Sequence, residues 1–136
     1  AVANARWAYE LYLGRVASER WQAIAAKGGN MQRPLWASTG VKDPAYEDTR
    51  YVVELIAPNT VNTMPQSTLD AVIDHGVVRG NTITGNFAEA VNVLKALSAL
   101  GISLDDVTTE LEIDGVKKFA QAWDELLENV KAAQQG

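Results

Sequence analysis

The amino-acid sequence predicts an α/β protein that is mostly helical and has two short parallel strands. Short apolar runs at 33–38 and 60–64 alternate with segments of helical periodicity, an order typical of a βα barrel or a doubly wound sheet. The apolar content of 47% with 21% charged residues lies in the range of folded globular proteins. With 136 residues, the chain has room for one domain.

The first predicted elements are a long helix and a buried strand. Residues 3–27 contain good helix formers, and Gly28-Gly29 supplies a stop. We expect a bend at Gly14. The apolar residues that share a broad helix face are Trp7, Leu11, Val16, Trp21 and Ile24. Residues 33–38 enclose the short apolar run Pro-Leu-Trp-Ala between turn residues, which predicts a strand.

Further along the chain, the pattern predicts one more helix, one more strand and a set of C-terminal helices. Pro44 precedes a helix over 45–56, and Pro65 closes a strand over 60–64. The C-terminal helices cover 66–133, within the segments 67–75, 87–100, 105–111 and 116–133. The last segment carries an apolar stripe of Phe119, Trp123, Leu126, Leu127 and Val130.

Two parallel strands cannot close a barrel or a doubly wound sheet, and they leave two unpaired edges. We therefore expect the chain to be one part of a larger domain, whose missing N-terminal part covers these edges. The first residues begin as though in the middle of a helix, which favours the same interpretation. By itself, the fragment is expected to form a homo-oligomer.

Composition also excludes several classes of function. The net charge is −5 and the basic residues are scattered, so we expect no nucleic-acid partner. The absence of cysteine excludes disulfides and zinc-thiolate sites and fits a reducing, cytoplasmic location. No apolar run approaches the roughly 20 residues of a membrane span, so we expect no membrane partner.

Two sequence blocks carry the most specific signal. The first is Gln32-Arg33-Pro34-Leu35-Trp36-Ala37-Ser38-Thr39-Gly40-Val41-Lys42-Asp43-Pro44-Ala45-Tyr46, and the second is Val61-Asn62-Thr63-Met64-Pro65. With their spacing, both resemble the bacterial and plant-type transaldolases, and the resemblance continues through Asp74-His75-Gly76 to the C-terminal helices. It implies that the chain is the C-terminal fragment of a (β/α)8 TIM barrel.

The resemblance also implies an activity. A transaldolase moves a dihydroxyacetone unit from sedoheptulose 7-phosphate to glyceraldehyde 3-phosphate through a lysine Schiff base, without cofactor or metal, in the pentose phosphate pathway. The expected partner is thus a sugar-phosphate substrate. The Schiff-base lysine and the assisting carboxylates are expected upstream, because no lysine here has the apolar strand setting that lowers an amine pKa. We therefore predict no catalytic residue and an inactive fragment.

Substrate phosphate is the ligand expected near the end of the first strand. Trp36-Ala37-Ser38 matches the start of the family's Gly-Ala-Ser-Phe-Arg strand end, so the resemblance implies that Ser38 binds phosphate, with Thr39 and Gly40 beside it. The family's arginine is not reproduced. Lys42 is its expected substitute, although an ammonium lacks the bidentate geometry of a guanidinium.

Each of these residues also has a plainer interpretation. Ser38 and Thr39 would then cap the following helix, and Lys42 would be a solvated loop residue. Asn62 and Thr63, second-rank candidates for the barrel mouth, would form an ordinary helix entry. His75 suits the end of a helix better than catalysis, and the tryptophans suit a core. The alternative function is a non-catalytic helical scaffold that oligomerises through its strand edges.

Overall fold

The computed structural model describes residues 1–134. Its elements, in chain order, are α1 (Val2–Ala17), α2 (Glu19–Ala25), β1 (Leu35–Trp36), α3 (Arg50–Val53), β2 (Val61–Asn62), α4 (Gln66–His75), α5 (Phe87–Ala99) and α6 (Leu104–Gln134). The chain forms two compact units, Ala1–Leu94 and the part from Lys95 onward. The described residues are thus mostly helical with two short strands, as the sequence predicts.

The two strands form a parallel pair in the first unit. Leu35 lies opposite Val61, and Trp36 lies opposite Asn62. Both strands are shorter than the predicted ranges 33–38 and 60–64. At the start of β1, Pro34 has no N–H to donate, and after β1 the backbone of Ser38 turns into the left-handed region with φ 56°. The carboxyl ends of both strands lie at the same edge of the sheet.

The predicted helix over 3–27 is divided in two. The break falls at Ser18, whose backbone is extended at φ −67° and ψ 147°. Its Oγ accepts a hydrogen bond of 3.3 Å from the N–H of Trp21, so Ser18 is the N-cap of α2. Gly14 lies inside α1. The serine interrupts the helix because its side chain satisfies a backbone donor that α2 would otherwise leave free.

The helix predicted over 45–56 is regular only in α3. Before it, Asp43 organises a turn, because its carboxylate accepts the N–H of Ala45 at 2.9 Å and its carbonyl accepts the N–H of Tyr46 at 3.1 Å. After it, Thr82 Oγ1 accepts the N–H of Ile56 at 3.0 Å. Side-chain acceptors therefore replace helical hydrogen bonds on both sides of α3.

The core of the first unit joins helices to the sheet. Tyr9, Leu55 and Ile83 form its buried cluster, and Trp36 packs against them. The Tyr9 hydroxyl donates to the carbonyl of Pro58 at 2.9 Å, and Trp36 Nε1 donates to the carbonyl of Leu55 at 3.1 Å. Burial raises the pKa of Tyr9, and the neighbouring Tyr12 raises it further. These contacts hold β1 against α1 and the end of α3.

The tryptophans are less buried than the sequence suggests. Trp21 and Trp36 are half-buried, whereas Trp7 and Trp123 are exposed. The expectation that all four lie in a core is therefore wrong for Trp7 and Trp123 in this chain. Trp123 is 60% exposed, whereas Trp7, at 37%, is covered over more than half of its surface.

No single helix in the described part of the chain is long and apolar enough to cross a membrane. The bent pair formed by α5 and α6 reaches the length and hydropathy of a membrane span only when the two helices are taken together.

Candidate functional site

The candidate site is the loop that follows β1, residues 38–42, at the carboxyl edge of the two-stranded sheet. Ser38 is exposed and has a left-handed backbone conformation, which costs a non-glycine residue free energy that contacts of its neighbours must offset. The next residue, Thr39, is buried. In this loop, an exposed Ser38 with a left-handed backbone is followed directly by a buried Thr39.

Thr39 ties this loop to the end of β2. Its Oγ1 lies 2.6 Å from Asn62 Oδ1 and 3.0 Å from the carbonyl oxygen of Thr63, so the hydroxyl donates to one or shares its proton between them. Asn62 Nδ2 in turn donates to the carbonyl of Tyr51 at 3.2 Å. Thr39 and Asn62 are thus bonded to protein groups and position the loop.

Gly40 brings the loop against the first turn of α4. A Cβ at this position would lie 3.2 Å from Pro65 Cγ and 3.4 Å from Thr68 Oγ1. These separations are close enough that a side chain would require Pro65 to move. Glycine is therefore needed for close packing between the loop and the N-terminus of α4.

Among the four residues predicted to bind phosphate, Ser38 and Lys42 are the exposed ones. Within residues 1–134, neither the Ser38 hydroxyl nor the Lys42 ammonium hydrogen-bonds to another protein group, and the N–H groups of residues 39–41 have no protein acceptor. Thr63 is exposed at the same edge, and its Oγ1 lies 3.4 Å from the carbonyl of Trp36. This edge thus presents hydroxyl, ammonium and amide donors, which suit an anionic oxygen ligand.

A charged cluster that the sequence did not reveal lies elsewhere in the first unit. Arg6 is buried on α1, and its guanidinium contacts Glu54 at 2.7 Å and Glu89 at 3.3 Å. Arg79 also pairs with Glu54. The cluster lines a cavity of about 850 Å³. The sequence signal that could have indicated it is spacing: Arg6 lies four residues after Val2 and three before Tyr9, which places all three on one helix face.

His75 lies at the last position of α4, as its neighbour Gly76 suggested. Its Nε2 lies 2.8 Å from Asp48 Oδ1, and its Nδ1 lies 3.0 Å from Asp74 Oδ2. The hydrogen bond to Asp48, followed by that to Asp74, raises the pKa of the imidazole. The contact between His75 and Asp48 links the end of α4 to the segment before α3.

Among the described residues, no group of three or more histidine, aspartate or glutamate side chains is placed so that it could hold a metal ion.

The lysines do not lie in strands in the part of the chain that the structure describes. Lys27 follows α2 and Lys42 lies in the candidate loop. The others lie on α5 and α6 and are exposed: Lys95, Lys117, Lys118 and Lys131.

Comparisons with known proteins agree with the motifs at this edge. The family model described as "Transaldolase/Fructose-6-phosphate aldolase" matches residues 1–130. A transaldolase from Acidothermus cellulolyticus is 62% identical over 126 residues, which is 93% of this chain and 34% of that protein. A transaldolase from Renibacterium salmoninarum is 59% identical over 132 residues, which is 97% of this chain and 35% of that protein.

A transaldolase from Saccharopolyspora erythraea is 60% identical over 131 residues, which is 96% of this chain and 36% of that protein. The chain therefore spans about a third of the length of these relatives. The match includes both strands, the loop between Ser38 and Lys42, and most of α6. The chain belongs to the transaldolase/fructose-6-phosphate aldolase family.

Proposed function

We propose that the chain is the C-terminal part of a transaldolase, which transfers a dihydroxyacetone unit from sedoheptulose 7-phosphate to glyceraldehyde 3-phosphate. The observation that carries this proposal is the family match over residues 1–130. It is supported by the loop at the carboxyl edge of the two parallel strands, whose donors have no protein acceptor in residues 1–134. In barrels of this kind, substrates bind at the carboxyl ends of the strands, and phosphate commonly binds in the loops of the last strands.

The role we assign to this part is to hold the substrate phosphate. Ser38 and Lys42 supply a hydroxyl and a positive charge, and the N–H of Gly40 approaches the ligand without a side chain in the way. The first turn of α4, packed against Gly40, favours a negative charge because its N–H groups are not all bonded within the helix. Thr39 and Asn62 fix the loop geometry.

The Schiff-base lysine is proposed to lie in the upstream part of the enzyme. A nucleophilic amine needs a lowered pKa, which apolar surroundings or a nearby positive charge provide. The described lysines are exposed on helices or in loops, so none has that environment here. We therefore expect no turnover by this chain alone, and a cytoplasmic role in the pentose phosphate pathway for the whole enzyme.

The proposed architecture is a (β/α)8 barrel to which this chain contributes β1, β2 and their helices. Within the described residues the sheet has two strands, so each strand has one edge without a partner strand. The other strands of the barrel would pair with these edges. Without that part, we expect the chain to associate with copies of itself, because paired edges satisfy backbone N–H and C=O groups.

The proposal can be tested with a full-length chimera, in which this chain replaces the matching C-terminal third of the Acidothermus cellulolyticus transaldolase. We expect the chimera to transfer the dihydroxyacetone unit and the chain alone to show no transfer. A chimera that folds like the parent by circular dichroism but lacks activity contradicts the proposal. That result makes a non-catalytic scaffold the better interpretation, and activity of the chain alone contradicts the placement of the lysine.

A further inference from the structure

The second half of α6 carries a regular apolar repeat. Five side chains follow one another at spacings of three, four, three and four residues, and together they form what we term the heptad face: Val116, Phe119, Trp123, Leu126 and Val130. This is the a/d spacing with which one helix packs against another. A helix that is surrounded by solvent does not need such a repeat, so the pattern indicates a surface that packs against a partner.

The heptad face is exposed in the structure. Phe119 is 82% exposed and Trp123 is 60% exposed, and the three aliphatic members are exposed as well. Large apolar side chains that lie together on one exposed face indicate an interaction surface, whereas single exposed apolar residues are ordinary.

The opposite side of α6 is polar and internally paired. Lys118 contacts Asp114 at 2.6 Å, and Lys131 contacts Glu128 at 2.5 Å. Gln121 Nε2 donates to Glu125 at 3.0 Å. This side therefore suits solvent, and a partner is expected on the heptad face alone.

The width of the apolar surface indicates what kind of partner fits. The positions that flank the a/d repeat hold Ala120, Ala122, Leu127 and Asn129, whereas a two-stranded coiled coil normally places charged residues there to pair with its partner. Three of these four residues are apolar, and they widen the face beyond the seam of a single helix pair. A broad apolar stripe of this kind is typical of a helix that packs onto a layer of a globular domain.

We infer that the heptad face docks onto the outer helices of the part of the barrel that this chain does not contain. This inference rests on the proposed function, since that function requires the additional part, and a barrel presents a ring of helices on its outside. The family match extends to residue 130 and thus includes every residue of the heptad face, while the relatives are about three times as long as the matched region. A second copy of this chain is the competing occupant.

The test measures the accessibility of the heptad face in the full-length chimera and in this chain. Because this chain has no cysteine, Phe119→Cys and Lys117→Cys each add the one thiol of this part of the chimera, on the apolar and on the polar side of α6. Maleimide labelling is located by peptide mass spectrometry. In the chimera, we expect Phe119→Cys to react at least about tenfold more slowly than Lys117→Cys, because labelling then requires local opening. In the dilute isolated chain, we expect similar rates.

Equal rates at both positions in the folded chimera would overturn the docking inference, and transaldolase activity in that sample would leave the proposed function intact. Protection of Phe119→Cys in the isolated chain, with a dimer seen by sedimentation, would also overturn it, because a second copy would then be the occupant. Protection in a folded but inactive chimera would support docking and contradict the proposed function alone. Hydroxyl-radical footprinting of Phe119 and Trp123 in the unsubstituted chimera gives the same comparison if the cysteine variant does not fold.

Discussion

The two compact units of the chain differ in burial, since the buried side chains of the described residues all lie in residues 1–94. In residues 1–94, Ile83 is fully buried, and even the charged Arg6 lies inside, paired with glutamates far away in sequence. From Lys95 onward, Phe119 and Trp123 are exposed, and the charged groups pair with neighbours on the same helix. The first unit is thus held by contacts within the chain, whereas the second displays a surface suited to a partner.

The largest expected effect comes from the same truncation made in both units. Ile83→Ala removes a fully buried side chain and should lower the free energy of unfolding by about 2–5 kcal/mol, because burial is lost and a cavity forms. Ile113→Ala removes a side chain that is 60% exposed and should change it by less than about 0.5 kcal/mol. Urea denaturation followed by circular dichroism gives both values. Similar losses would show that the two units do not differ in packing.

The next largest expected effect is the loss of stability when a buried charged side chain is removed. Arg6→Ala removes the buried one of the two arginines that pair with Glu54. We expect a loss of about 2–4 kcal/mol, less than for a fully buried pair, since Glu54 keeps its pair with Arg79 and some contact with water. Lys118→Ala, the control, removes an exposed pair within α6 and should cost less than about 0.5 kcal/mol. The same denaturation curves measure both. A negligible effect of Arg6→Ala would mean that the buried cluster contributes no stability.

A smaller effect is expected at the candidate loop. Thr39→Val keeps the shape of the side chain but removes the hydroxyl that donates to Asn62 or Thr63, which should cost about 1–2 kcal/mol. Thr109→Val on α6 makes the same exchange at an exposed position and should change stability by less than about 0.5 kcal/mol. Equal values for the two variants would argue against a positioning role for Thr39.

The smallest effect is the pH dependence of the His75 contact. The pKa of His75 is raised from its ordinary value of 6.5 by hydrogen bonds to Asp48 and Asp74, so protonation favours the folded state. This stabilisation is fully present below about pH 6.5 and is lost as pH rises through the folded pKa. His75→Gln should therefore lower stability slightly at about pH 5.5 and leave it nearly unchanged at about pH 8.5. An NMR titration of the imidazole with a pKa at or below 6.5 would contradict this.

The order of elements could be predicted because apolar periodicity and turn residues are local signals. The two strands and five helical regions, counting α1 and α2 as one, follow such signals, and Gly76 and Gly101 stand where α4 and α5 end. The break at Ser18 was missed because a serine is compatible with a helix interior, and only its hydrogen bond to Trp21 shows that it caps α2. Regular strand length was also overestimated, since it depends on pairing as well as on composition.

The candidate loop could be located from its motif, but the division of roles within it could not. Thr39 bonds to Asn62 across 23 residues, and Arg6 bonds to Glu89 across 83 residues. Such contacts depend on the packing of distant segments, for which a single sequence gives no local pattern. The sequence therefore placed Thr39 with Ser38 and Lys42 among the phosphate-binding candidates and Asn62 in the second rank, and it did not show that Thr39 and Asn62 bond to protein groups.

The most direct test of the account compares two acceptors in the full-length chimera, glyceraldehyde 3-phosphate and unphosphorylated glyceraldehyde. If Ser38 and Lys42 hold the phosphate, the double variant Ser38→Ala, Lys42→Ala should raise KM for the phosphorylated acceptor at least about tenfold, because charge-assisted hydrogen bonds are lost. Kinetics with glyceraldehyde should be unchanged, and Lys117→Ala should affect neither acceptor. An equal loss with both acceptors, or no change with either, would contradict the assignment of this loop as the phosphate site.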